Sequence, residues 1–185
     1  MEDGELNIFN CGSLVFLNIL GLFTRASIYI IAQCNPIKES IIFDFRLSEW
    51  TQYLIIGGVA VNIHGYTRAT GDLDIWYNPT KDNFRKLITS IKELGFDVTP
   101  IEKIENYDLK GFIRLPMDSF FVELLAIISG KLDFEETSEK AIQFDFSGVQ
   151  VPVIGYDDLI QNKIMSRRAK DLEDIAQLER RYRPS

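Results

Sequence analysis

An unbroken apolar run from Tyr53 to Ile56 stops at Gly57-Gly58, and after a segment containing Ala60 and Val61 the chain alternates through Asp72-Leu73-Asp74-Ile75. Alternation in a β-prone stretch predicts a strand, in which residues two apart face the same side. Asp72 and Asp74 thus project together while Leu73 and Ile75 point into a core. Trp76 and Tyr77, which finish the strand, read as core aromatics, although either could stack on a base. Asn78-Pro79-Thr80 is a turn with Thr80 as helix cap, and Phe84, Leu87, Ile88, Ile91 and Leu94 recur at helical spacing until Gly95 stops the helix. Two β-like pieces follow, Gly111 to Leu115 and Ser119 to Ile127, joined through Pro116-Met117-Asp118. On the second, Phe121, Glu123 and Leu125 share a face. A hairpin is predicted from Ala141 to Phe146 and from Val149 to Ile154 around Ser147-Gly148, its second strand placed at a sheet edge by Pro152. Asp157 or Asp158 then opens a helix carrying Leu159, Ile160, Lys163 and Ile164, and a last helix spans about Lys170 to Arg181.

The first fifty residues follow no such pattern. Leu14 to Ala32 is apolar enough to raise the question of a membrane span, but Arg25 sits near its middle, where such a residue costs roughly 2.5–3.5 kcal/mol on insertion. Glu2, Asp3 and Glu5 stand where a signal peptide carries positive charge. Three readings stand: a buried or marginal helix or strand, a membrane anchor, and a stretch foreign to the domain that follows. The chain is accordingly divided into an N-terminal apolar segment, 1–48, and a domain, 49–185. A length of 185 residues is that of one domain with a respectable core.

Charge and cysteine content narrow the chemistry. A net charge of -7 gives the whole chain no nucleic-acid character. The basic residues Lys163, Arg167, Arg168, Lys170, Arg180, Arg181 and Arg183 nevertheless gather near the C-terminus. They form either a local phosphate-binding surface or a solvated helix face among Asp171, Glu173, Asp174 and Glu179. Cys11 and Cys34 show no metal spacing and suit a reducing, cytoplasmic setting. A single histidine, His64, excludes His-rich metal sites. The chain contains no Walker loop, GxGxxG turn, HExxH or GxSxG.

What stands out is the acid pair. Two like charges so close repel, and burial raises their pKa unless a cation lies between them. Mg²⁺, which favours carboxylate and phosphate oxygens, is the natural ion. Glu123, set among large apolar residues, is costly to bury without a partner: a metal, or a neighbour such as Arg114.

Gly57-Gly58 followed by Asp72-x-Asp74 with apolar neighbours resembles the signature of the DNA polymerase β-like nucleotidyltransferase superfamily. The spelling GGVAVNIHGYTRATGDLDIW is similar to small bacterial nucleotidyltransferase-like proteins related to type IV abortive-infection toxins and to aminoglycoside and lincosamide nucleotidyltransferases. The likeness runs from about Tyr53 to Leu178, DDLIQNKIMSRRAKDLEDIAQL resembling the family's C-terminal part. It implies an α/β fold: a small mixed sheet with helices packed mainly on one face. It also implies a Gly57-Gly58 turn that lets backbone approach a nucleoside triphosphate, and two Mg²⁺ ions, or Mn²⁺ in their place, on Asp72, Asp74 and Glu123. Lys163 is the implied phosphate contact, with a surface lysine as the other reading. Arg68 and Thr70, just before the acids, could reach phosphate oxygens. Gly71 stands where many members have serine, and Phe43 to Gln52 departs from the family as a short and poor match to the helix that usually precedes the Gly-Gly strand. His64 and Tyr66 read as structural.

The implied function is metal-dependent transfer of a nucleoside monophosphate to an acceptor hydroxyl on a protein, a tRNA or a small molecule. The alternative is a catalytically silent nucleotide-binding module, one half of a toxin–antitoxin pair with a partner protein. A membrane partner is not expected.

Overall fold

A computed structural model describes residues 51–102, 112–116, 120–146 and 148–182. The apolar stretch 14–32, both cysteines, most of 43–52 and the predicted turn at 117–118 lie outside the described residues. Strand β1, Tyr53–Ile55, is buried along its whole length and runs antiparallel to β2, Asp72–Tyr77, in the register Tyr53↔Tyr77 to Ile55↔Ile75. Between them the two glycines are the first residues of a helix, α1, Gly57–Ile63, rather than a free turn. Glycine is a poor helix former, so propensity alone does not reveal this start.

Helix α2, Lys81–Glu93, begins as predicted: the Thr80 hydroxyl accepts from the Asn83 amide at 3.2 Å. Gly95, at φ +88, ends it. A single turn, α3, Thr99–Glu102, precedes the hairpin-like pair β3, Phe112–Pro116, and β4, Phe121–Leu125. Helix α4, Phe134–Glu139, capped by Asp133, has no counterpart in the sequence pattern because six residues are too few to show a period. Strands β5, Ile142–Phe146, and β6, Val149–Val153, form the predicted hairpin, and helices α5, Tyr156–Ser166, and α6, Ala169–Tyr182, close the described chain.

The strands order as β3-β4-β2-β1-β6-β5 in one mixed sheet. β2 is parallel to β4 and β1 to β6, and the other pairs are antiparallel. Pro152 is therefore not on an edge strand: β6 lies inside, and β5 takes the edge. The proline is tolerated because β1 meets β6 only at Ile55↔Val153, one residue beyond it. Nor does an aspartate cap α5; Gly155 is its N-cap, with Asp157 and Asp158 in the first turn, where their charge favours the helix dipole.

Leu54, Ile55, Leu73, Ile75, Val122, Leu124, Val151 and Val153 form the buried centre. Adjacent residues of β2 mark its two faces. Tyr77 meets Phe84 of α2, with ring centroids 6.0 Å apart, and Trp76 meets Phe134 of α4 edge-on at 5.0 Å. Asp72 and Asp74 share the Trp76 face by alternation. Both aromatics are core, as is His64, whose Nε2 lies 2.8 Å from the Ile154 carbonyl. Burial lowers the His64 pKa, with the Ile154 bond opposing. Among the described residues no helix is long and apolar enough to cross a membrane.

Candidate active site

The parallel register of β2 and β4 sets Asp74 beside Glu123 and Asp72 beside Phe121. One carboxylate oxygen from each of Asp72, Asp74 and Glu123 lies within 4.8 Å of the others. Three acids on adjacent strands, two from β2 and one from β4, carry a concentration of negative charge that folding alone does not reward. Asp74 registers it most: burial first, then repulsion by Asp72 and Glu123, pushes its pKa up to about 6, with Arg168 and Lys170 pulling the other way. The donor set is all carboxylate oxygen and partly buried, which fits a hard divalent ion.

A pH dependence follows. Because folding raises the Asp74 pKa, its contribution to stability is fully present below the unfolded value and is lost as pH rises through about 6. With metal chelated, Asp74→Asn should be more stable than wild type at about pH 8, by about 2 kcal/mol, and no more stable at about pH 4. Urea unfolding of both proteins across that range checks it; a constant difference would contradict the repulsion.

The glycines are shaped to this cluster. Gly57 adopts φ +64, and a Cβ there would overlap the Asp74 carboxylate; one on Gly58 would collide with the Thr70 hydroxyl. Gly57→Ala combines left-handed strain of roughly 1–2 kcal/mol with displacement of Asp74. Catalysis that depends on the Asp74 carboxylate should be slower in this variant by about a hundredfold, the usual effect of a misplacement near 1 Å. Steady-state kinetics on the folded variant tests this, and near wild-type turnover would mean that the close approach is dispensable.

Thr70 contacts the acids directly, whereas Arg68 lies beside Gly58 and is held by α6, roles the sequence does not assign. The Thr70 hydroxyl donates to Asp72 Oδ1 at 2.9 Å, which orients the acid. Arg68 grips Asp174 of α6 through Nε at 2.6 Å and Nη2 at 2.9 Å. Its backbone is fixed in turn, the Asn62 side chain accepting from the Arg68 amide at 2.9 Å and donating to its carbonyl at 3.0 Å.

Lys163, the implied phosphate contact, is a buried ion-pair partner rather than the surface lysine of the other reading. It is 1% exposed, and its ammonium donates to Asp171 at 3.0 Å and Asp174 at 2.6 Å. Asp171 and Asp174 are fully buried rather than part of a solvated face. Burial opposes ionisation of Asp171, but hydrogen bonds from Arg168, Ser166 and Lys163 outweigh it and hold its carboxyl well below the usual range. The cations that instead stand toward the acids are Arg168 and Lys170, both of which act on Asp74. Arg168 is anchored by Nε on Asp171 at 2.6 Å, and its side chain remains 56% exposed. The C-terminal clustering of basic residues was the sequence signal for this pair; it does not say which members face the acids. Arg168 and Lys170 were thus visible as members of a group, not as individuals.

Residues 45–181 match the family model described as nucleotidyltransferase of unknown function (DUF6036). No curated protein matches the chain. Among solved structures, a candidate nucleotidyltransferase from Thermotoga maritima is similar at a TM-score of 0.52 and 15% identity, over 77% of this chain and 89% of that one. A lincosamide antibiotic adenylyltransferase with lincomycin bound gives a TM-score of 0.49 at 14% identity, over 85% of this chain and 97% of that one.

Proposed function

The chain belongs to the nucleotidyltransferase family DUF6036, and we propose that it moves a nucleoside monophosphate from a nucleoside triphosphate to an acceptor hydroxyl, with Mg²⁺ held by Asp72, Asp74 and Glu123. The observation that carries this reading is the convergence of three carboxylates beside the left-handed Gly57. Divalent ions bound there would neutralise phosphate charge and acidify the acceptor hydroxyl.

The chain's own residues divide the remaining work. The absence of side chains at Gly57 and Gly58 lets Asp74 and Thr70 stand close against the start of α1, and Arg168 and Lys170 offset the triphosphate's charge. Thr70 fixes the Asp72 rotamer. Arg68 and Lys163, both bonded to Asp174, hold α6 so that Arg168 and Lys170 stand opposite Asp74. In the transfer the acceptor oxygen bonds to the α-phosphorus, the bond from the α-phosphorus to its bridging oxygen breaks, and pyrophosphate leaves. Glu123, at the outer strand pair, takes the hydroxyl proton, directly or through water. Positioning and charge neutralisation supply most of the acceleration. The site works in the cytoplasm, where nucleoside triphosphates are abundant.

Incubating the protein and Mg²⁺ with each α-labelled triphosphate and separated RNA, protein and small-molecule fractions of a cell extract tests the reading. Label in one fraction supports transfer and names the acceptor class. Metal-dependent nucleotide binding without label would favour a silent binding module with a partner protein, as in a toxin–antitoxin pair.

A further inference from the structure

We propose that Arg114 sets the cation affinity of the acid triad by competing with the bound ion for Glu123, an inference that rests on the metal-binding reading of the site. The antiparallel register pairs Arg114 directly with Glu123, and Arg114 Nε lies 3.3 Å from Glu123 Oε1. The guanidinium is also stacked on Phe121, its carbon 3.8 Å from the ring centroid. Phe121 and Glu123 share a strand face, so the aromatic ring holds the arginine in place beside the acid. Arg114 therefore has a defined position rather than a freely moving head.

Folding does not require this pair. The Arg114 side chain is half exposed and Glu123 a quarter exposed, and ion pairs so open to water contribute little to stability. Its larger consequence is electrostatic. The triad has cations at both ends: Arg168 and Lys170 act on Asp74, and Arg114 contacts Glu123. Arg168 is committed to Asp171, whereas Arg114 is bound to one of the prospective ligands itself. A divalent ion that takes up Glu123 must displace or share with that guanidinium, against its positive charge. Among the described residues, Arg114 is the one cation within ion-pair distance of a triad acid.

The test is Mn²⁺ titration of the full chain without nucleotide, at a pH where the acids are ionised, following the free-ion signal by electron paramagnetic resonance. Arg114→Gln should bind Mn²⁺ about fivefold more tightly than wild type, and the gain should shrink at high salt as the arginine's charge is screened. Arg114→Lys, which keeps the charge, should stay within about twofold of wild type. In a Glu123→Gln background the Arg114→Gln gain should fall below about twofold, because the contested ligand is gone. Circular dichroism verifies that each variant is folded. Unchanged or weaker binding by folded Arg114→Gln would overturn the proposal while leaving the metal site intact. Failure of wild type to bind Mn²⁺ at all would instead remove the metal reading on which it rests.

Discussion

Asp72→Asn/Asp74→Asn is expected to lower nucleotidyl transfer by at least about a thousandfold while leaving the protein folded. Both substitutions preserve the size of the side chain and remove charge from a strand face where charge is already crowded. Asp74 is the more telling position, because burial and its two acidic neighbours raise its pKa to about 6. The neutral amide is therefore better tolerated in the metal-free fold than the carboxylate, so lost activity cannot be attributed to unfolding. Thr70, which donates to Asp72 Oδ1, retains an acceptor in the asparagine carbonyl. Turnover measured alongside thermal melting separates the two effects. Substantial residual transfer by the stable double variant would show that the acids are not the site of chemistry.

The second large effect is on stability. Lys163→Met should destabilise the protein by about 3–5 kcal/mol, the usual consequence of removing one partner from a buried ion pair. Lys163 joins α5 to α6 by reaching Asp171 and Asp174, eight and eleven residues further along the chain. Both acids are fully buried. Without the ammonium, Asp174 keeps Arg68 and Asp171 keeps Arg168, but each loses a charged donor within the protein. Urea unfolding distinguishes this role from a phosphate contact: an anchor lowers the midpoint with or without nucleotide, whereas a phosphate ligand would raise the KM for the triphosphate at unchanged stability.

Lys163 also shows where the sequence stops being informative. Asp171, Asp174 and Leu178 lie at i, i+3 and i+7, the spacing of one helix face, and the structure buries all three. Charged residues ordinarily sit outward, so this face reads as solvated until a cation from another helix is known to meet it. That meeting is a tertiary fact, which helical periodicity does not encode. By contrast, the acid stripe of β2 and the face shared by Phe121 and Glu123 follow from strand alternation alone, and Thr80 announces α2 through its capping chemistry. Pro152 misleads because the rule excluding proline from inner strands assumes a continuous ladder, and β1 is only three residues long. The pairing of Glu123 with the acids across parallel strands was legible only through resemblance, since nothing local relates position 123 to position 74.

Labelled nucleotide tests the central claim most directly: the same triphosphate, carrying label at either its α or its γ phosphorus, is incubated with Mg²⁺ and the acceptor fraction. Wild type should leave α-label on the acceptor and release γ-label as pyrophosphate, and Asp72→Asn/Asp74→Asn should do neither. Transfer of γ-label to the acceptor, or α-label transfer that survives loss of both acids, would contradict nucleotidyl transfer by this site.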